Sequence, residues 1–474
     1  MFRLFFSLIL LFFSVLHAQT LQHWTLQQCI EYALVNNIQI KQNLLNVELS
    51  EAVLLQSKAQ LLPSLNGNVS HNYNYGKKVD PFTNQFLSGN WMLSQDFSLS
   101  ANATLFDGFQ NLNTIKQNQY DLMASCSDVD KMRNDISLNI VSAYLQILFA
   151  DELLTVAKSQ IEITRLQTER IKKLVTAEIF PRGNLLDIEA QFASEELNMV
   201  NAENNLTLSY LNLVQILNLN TVVNFKIVRP EINMSAEPIL NNNTIEIYNN
   251  ALTTQPEIKS AEFRLKSSEK SLSVAKGGIY PRISLFAYYG TGYSEASKGL
   301  SGTPGVFGYI PNGDITSAGD TVYSPQMLYN YSTIPFSEQI NQNLNRSVGL
   351  HLSVPIFNNL QNKTSVVRAK ISIENAKLSL QLVKDNLQKK IQQAYNDAVA
   401  SLKKYHAADK AVTAIEEAFK YTEQKFNVGT ITATDYGEAK NKLFKAKSEL
   451  LQAKYDYVFK LKVLDFYQRK PITL

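Results

Sequence analysis

Two ten-residue stretches, "SKAQLLPSLN" (57–66) and "AKGGIYPRIS" (275–284), align at an offset of 218 and set Pro63 on Pro281. Further along, "ATLFDGFQN" (103–111) aligns with "VPIFNNLQN" (354–362), and "SAYLQI" (142–147) with "QAYNDA" (393–398), both at an offset of 251. The second offset exceeds the first by 33 residues, which are extra sequence between the two strands of the second copy. Such self-similarity constrains the fold more than any short motif, because each half must be a version of one unit. Each half reads helix, strand, loop, strand, long helix, turn, helix. The first repeat is 19–217 and the second 244–467, with 218–243 joining them and 468–474 as a C-terminal tail.

The strands announce themselves by a period of two. In Ser64–Tyr75, Leu65, Val69, Tyr73 and Tyr75 alternate with Ser64, Asn66, Asn68, Ser70, Asn72 and Asn74. Phe97–Leu105 and Ser347–Ile356 alternate as cleanly, whereas Arg282–Tyr289 is less regular because Phe286 and Tyr288 fall among its polar positions. About ten residues is the length of a tilted strand that crosses a bilayer. Aromatic residues gather near the distal ends (Tyr73, Tyr75, Trp91, Tyr288, Tyr289, Tyr293), where an interfacial girdle belongs. Four strands cannot close a barrel, and lipid does not tolerate an open sheet edge. Two or three copies sharing one barrel would remove that edge. The polar side, represented by Asn66, Asn68, Asn72, Asn102 and Ser353, is then expected to face a water-filled lumen and the apolar side lipid.

The chain's beginning agrees with export. Residues 1–18 hold Arg3, the apolar run "LFFSLILLFFSVL" (4–16) and Ala18 before the expected cut, the pattern of a secretory signal peptide. No other segment reads as a membrane-crossing helix. The net charge of +3 over 474 residues, with Lys and Arg dispersed, does not suggest nucleic acid. Two cysteines make no disulfide framework, and five histidines show no metal-ligand spacing. No phosphate loop, nucleophile elbow or catalytic Cys/His spacing is present, so the sequence argues for no enzyme, no metal and no cofactor.

The long helices carry a seven-residue repeat. From Ile115 it runs through Leu122, Val129, Ile136, Ala143, Ala150, Ala157, Thr164 and Ile171. In the second copy it runs from Val366 through Ile373, Leu380, Leu387, Ala394, Ser401, Ala408, Ile415 and Thr422. Second seams join at Ile140, Ile147, Leu154 and Ile161, and at Ile391, Ala398, Tyr405 and Val412. A heptad held this long is coiled-coil packing. A helix over 109–175 is roughly 100 Å long, matched by the helices at 26–61 and 184–217 laid end to end. On this register Cys29 and Cys126 differ in height by about 20 Å, too far for a disulfide, and Cys126 reads as a small buried packing residue.

With these residues in place the chain resembles the TolC-type outer membrane efflux proteins, in the arrangement typical of Bacteroidetes members. The resemblance rests on both repeats, on the Pro-initiated strands, on "LFDG"/"IFNN" at the return into helix, and on the turn "FNVGTITATDY" (426–436). It implies a mainly α fold with a membrane β-barrel portion. Long coiled-coil helices would form a trimeric α-barrel, and four strands per chain would contribute to a 12-stranded outer membrane barrel. It also implies a homotrimer in outer membrane lipid with a long periplasmic extension, fed by a periplasmic adaptor (membrane fusion) protein and an inner membrane pump of RND or ABC type.

By the same resemblance Asp435 and Glu438 match acidic positions around the periplasmic aperture, where rings of carboxylates favour cations. The two are also spaced as a capping box of the following helix, and both roles stay open. In the first copy, "TAEIFPRGNLLD" (176–187), Asn184 stands opposite Asp435. Ile431 sits where the best-known member has an arginine, so that salt-bridge lock is not expected here. The adaptor-docking tip would comprise Val428, Gly429, Thr430 and Ile431 with Ala177, Glu178, Ile179 and Phe180; an exposed Ile179, Phe180 and Ile431 would want a partner. The segment 294–345, rich in Gly, Ser, Asn and Pro, reads as a long extracellular loop.

Two functions of different class compete. One is a passive conduit for efflux or type I secretion, carrying small molecules or proteins. The other is a non-conducting coiled-coil scaffold anchored in the outer membrane, or an adaptor-like periplasmic protein. Clean polar faces on three of the four strands favour the conduit, which a scaffold would not need.

Overall fold

The computed structural model describes residues 22–80, 82–84, 86, 87, 89, 91–219, 225–230 and 244–470. The signal segment 1–18, most of the joining stretch 218–243 and the end of the tail lie outside the described residues. In chain order the first copy contains β1 (Gln22–Trp24), α1 (Leu26–Asn36), α2 (Ile38–Ala59), β2 (Ser64–Asn74), β3 (Lys78–Val79), β4 (Phe86–Leu87), β5 (Met92–Phe106), α3 (Gln110–Thr176) and α4 (Arg182–Leu217). After β6 (Phe225–Ile227) come α5 (Thr244–Thr254), α6 (Pro256–Gly277), β7 (Arg282–Ser294), β8 (Lys298–Leu300), β9 (Gly305–Ile315), β10 (Thr321–Leu328) and β11 (Tyr331–Thr333). The chain ends with α7 (Phe336–Gln342), β12 (Asn345–Ser353), α8 (Gln361–Asn427) and α9 (Ala433–Tyr467). The segment 294–345 thus holds four short strands and a helix.

The duplication is written into the backbone. Left-handed φ angles occur at Gly108, Phe109, Glu178 and Asn218 (69°, 64°, 58° and 56°) and again at Asn359, Leu360, Gly429 and Arg469 (52°, 63°, 78° and 61°), each 251 residues later. Each pair marks the same event: the turn from strand into long helix, the turn between long helix and hairpin partner, and the end of that partner. Gly108 has no alternative, since a Cβ there would stand 2.3 Å from the carbonyl oxygen of Gly277.

The chain forms two compact units, one from the residues up to Glu51, Tyr120–Lys266 and Ile373 onward, the other from Ala52–Gln119 and Ser267–Ser372. The first unit is helical. Along α3 the heptad residues Val129, Ile136, Ala143, Ala150, Ala157, Thr164 and Ile171 are all buried. Along α8 Leu387, Ala394 and Ser401 are buried, with Ile391, Ala398 and Val412 in the second seam. Full burial is worth roughly 1.5–3 kcal/mol for each large aliphatic side chain, so the seam is the main source of cohesion. One core joins α1, α3, α4, β6 and α9 around Tyr144, whose hydroxyl donates to the Val228 carbonyl at 2.6 Å. A parallel pair, β1 with β6, sits against it. Contrary to the sequence reading, α3 holds a window apolar enough to cross a membrane; more than half of that window is buried.

The helix expected over 26–61 is broken at Asn37. Its side chain accepts from the backbone N–H of Gln39 at 2.9 Å and of Ile40 at 3.3 Å, while its amide donates to the Ile216 carbonyl at 2.9 Å. A side chain that satisfies the first donors of α2 restarts the helix there. Gln255 makes the corresponding break between α5 and α6, followed by Pro256 at the first helical position.

Cysteine placement corrects another expectation. Both thiols are free, but Cys29 is the buried one and Cys126 is exposed. Burial pushes the Cys29 thiol up to about 12. Cys126 points off the packed seam of α3, one position away from buried Ser127.

Candidate functional site

The second unit is built around a four-stranded antiparallel sheet ordered β12-β7-β5-β2. Its register brings the alternations into phase. Asn66 pairs with Ser100, Asn68 with Ser98 and Asn72 with Ser94; Thr104 pairs with Ser284, which pairs with His351, and Arg282 with Ser353. All of these lie on one face together with Asn102. The other face carries Leu65, Val69, Leu99, Leu285, Val348, Leu350 and Leu352, and their exposure is high: 70% for Leu65, 73% for Val69 and 77% for Val348. A soluble sheet would cover such a face, and within the chain nothing does. At its two sides β2 and β12 each have a single sheet partner among the described residues.

Two aromatic residues interrupt the polar face, which explains the weaker alternation of β7. The Phe286 ring lies over Gly349, where a Cβ would meet it at 2.6 Å, and the Tyr288 hydroxyl lies over Gly290 in the same way. Tyr288 therefore leaves the girdle in which the sequence placed it. Tyr75 keeps company with Trp91 (ring centroids 5.4 Å apart), and Tyr293 with Phe336 (5.5 Å).

In the first unit, α3 meets α4 and α8 meets α9 through two short turns. The α8 turn closes by the N–H of Gly429 to the Phe426 carbonyl and of Thr430 to the Lys425 carbonyl, both 3.0 Å. The α3 turn closes identically through Glu178 to Val175 and Ile179 to Leu174, again both 3.0 Å. Beneath them Ile171, Ile188, Phe426, Ala433 and Tyr436 are buried together, with Phe426 and Tyr436 stacked at 4.4 Å. Phe180 and Ile431 pack against this cluster and are only partly exposed. The apolar residues that do stand out are Ile179, 64% exposed, and Val428, 75% exposed. Ala177, Glu178 and Thr430 are exposed beside them.

The capping box lies one turn earlier than the sequence suggested. Thr432 is the N-cap of α9 and Asp435 its N3 residue, each bonding the other's backbone N–H. The Asp435 carboxylate accepts from the Thr432 N–H at 3.2 Å and its hydroxyl at 2.8 Å. These bonds hold its carboxyl below the usual carboxylate range. Glu438 is exposed and outside the box. Asn184 occupies the same N3 place in α4, whose N-cap Pro181 offers no side-chain bond. Sequence reasoning passed over Asp187, which reaches Thr434 of α9 at 3.4 Å. The signal was there: the 251-residue offset sets Asp187 on Glu438.

Further along the same bundle is a charge pair that no sequence pattern announced. Lys440 of α9 is 1% exposed and Glu195 of α4 is 5% exposed, with Nζ to Oε1 3.1 Å. Lys440 also donates to the Gln160 carbonyl at 2.9 Å and to the Thr164 hydroxyl, tying α3, α4 and α9 together. Burial lowers the lysine's pKa against the opposing pull of Glu195.

The sequence model described as "Outer membrane efflux protein" matches residues 29–219 and 247–466, both repeats. The chain belongs to the outer membrane efflux protein family. It is 22% identical to the outer membrane protein TolC of Escherichia coli over 447 residues, covering 91% of this chain and 80% of that protein. Among solved structures it superposes on the Campylobacter jejuni CmeC outer membrane channel with a TM-score of 0.74 at 17% identity, covering 93% and 85% of the two chains. For the Vibrio cholerae outer membrane protein VceC the TM-score is 0.72 at 14% identity, covering 94% and 96%. As a member of the family it is an efflux protein of the outer membrane, and its fold is that of these channels. The other members named here are channels rather than enzymes.

Proposed function

We propose that three copies of this chain close into one passive conduit that carries cargo outward from a periplasmic adaptor and an inner membrane pump of RND or ABC type. The cargo would be small molecules or proteins, through efflux or type I secretion. The observation that carries the reading is the four-stranded sheet: polar on one face, bare and apolar on the other, with β2 and β12 at open edges. Lipid would solvate the apolar face, but each open edge exposes backbone groups that cost several kcal/mol apiece there. Joining β2 of one copy to β12 of the next removes both edges, and three copies make a barrel of twelve strands. The polar face, with Asn66, Asn68, Asn72, Asn102 and Ser353, then lines water. A wall of amides and hydroxyls asks for no covalent step, so energy would come from the pump.

At the turns, Asp435, Glu438 and Asn184, joined by Asp187, are placed to ring the periplasmic aperture. Ile179 and Val428, standing bare beside Ala177, Glu178, Gly429, Thr430 and Ile431, support an adaptor docking tip that also includes Phe180. Residues 1–18 would be removed on export, leaving repeats 19–217 and 244–467 with 294–345 toward the outside.

Mass measurement of detergent-extracted protein, together with planar-bilayer conductance, tests the reading. Three chains per particle and single-channel currents are expected. A monomer with no conductance overturns it, and a non-conducting trimer makes the protein a scaffold.

A further inference from the structure

At the helix-facing end of the sheet, the polar face opens into a hollow of about 730 Å³. Its floor comes from the end of α2 (Gln56, Gln60), its walls from Asn102, Thr104 and Ser284, with Arg282 and His351 projecting from β7 and β12. Arg282 is exposed and spends one N–H on the Thr104 hydroxyl at 3.2 Å, leaving the rest of its donor fork available. No carboxylate belongs to the lining. Every charged group in the hollow is thus cationic or can become so. The strand register places Phe286 two residues above Ser284 on the same face and Tyr288 two residues above that, each held over a glycine. A guanidinium fork beneath two aromatic rings is a complementary surface for a body that is apolar at one end and anionic at the other. The fork takes a carboxylate or sulfonate through charge-assisted bonds, and the rings take the apolar part.

We propose that this hollow is a binding step for amphipathic aromatic anions, set by Arg282 with His351 and completed by Phe286 and Tyr288. It deepens the conduit reading and rests on it, since the polar face must line the transport path for the step to act on cargo. It assigns a chemical preference to the outer membrane component itself rather than leaving all selection to the partners. In a trimer the step would occur three times around one lumen, raising the local concentration of such anions where the barrel begins.

The test uses the full chain in lipid nanodiscs, titrated calorimetrically with naphthalene-2-sulfonate and, in parallel, with inorganic sulfate. Saturable binding of the aromatic sulfonate is expected, weaker for sulfate. Arg282→Gln should weaken it by about tenfold or more, the usual worth of one charge-assisted contact. Arg282→Lys should retain most of it, and Phe286→Leu should weaken the aromatic sulfonate but not sulfate. Absence of saturable binding, or equal affinity in Arg282→Gln, overturns the proposal. Currents through single channels are recorded on the same preparations. Conductance without binding sinks only the anion step; binding without conductance sinks only the conduit.

Discussion

Glu178 and Gly429 occupy the same left-handed backbone position, at φ 58° and 78°, in two turns separated by 251 residues. Glycine reaches that conformation without steric cost, whereas an L side chain is strained there by about 1–2 kcal/mol. The first turn holds a glutamate where the second holds glycine, in a chain that solves the same turn twice. Glu178→Gly is therefore expected to stabilise by up to about 1 kcal/mol, and Gly429→Ala to destabilise by about as much. Thermal unfolding of each variant in detergent checks the pair; equal and opposite shifts are expected.

Much of this architecture was legible because burial repeats at every turn of a heptad. Val129 through Ile171 are buried as their spacing demands, and the cysteines are unlinked as their heights require. The capping box was misplaced because Thr432 and Asp435 are both competent cap residues, and only the backbone shows that α9 begins at Ala433. Asn37 was read through because an apolar period continues on both sides of it. Phe180 and Ile431 looked exposed because a turn seemed to leave them no cover, yet the four helix ends supply a small core. The Lys440–Glu195 pair had no sequence signature at all: its members lie on different helices of different repeats.

That pair gives the second prediction. A buried lysine facing a buried glutamate is costly to half-remove, since the remaining charge keeps its desolvation penalty without its partner. Lys440→Met alone should destabilise by roughly 3–5 kcal/mol, and Glu195→Leu alone comparably, while the double variant should recover most of the loss. A double-mutant cycle by thermal unfolding reads the coupling; additive losses would mean the charges do not depend on each other.

The sheet predicts a sidedness. Cysteines at Asn66, Asn68 or Asn72 should react with a water-soluble thiol reagent in native membranes, and cysteines at Leu65 or Val69 should be protected by lipid. The pairing of Leu99 with Gly67 on one side and Tyr289 on the other puts it mid-sheet on the apolar face. Leu99→Arg should cost up to roughly 2–4 kcal/mol, according to its depth in the bilayer. Equal labelling of the two sets would reverse or abolish the assignment of lumen and lipid.

The acidic residues at the turns are separable because only one of them caps a helix. Asp435 is bonded to Thr432 and its carboxyl is held low by those bonds, so its contribution to folding is present above the pKa of an unfolded aspartate. That contribution disappears only as pH falls through the lower folded value, so acidification to pH 5 should leave the cap intact. Asp435→Ala should cost about 1 kcal/mol of stability at neutral pH, and that cost should shrink in strong acid. Glu438 and Asp187 carry no such duty, and replacing them with Gln and Asn should leave thermal stability unchanged. If the carboxylates ring the aperture, the same two replacements should weaken block by divalent cations in planar bilayers and reduce cation preference. Block that survives both replacements but is lost on removing Asp435 would assign the aperture to the capping residue. Block unaffected by all three would take the acidic residues out of the permeation path.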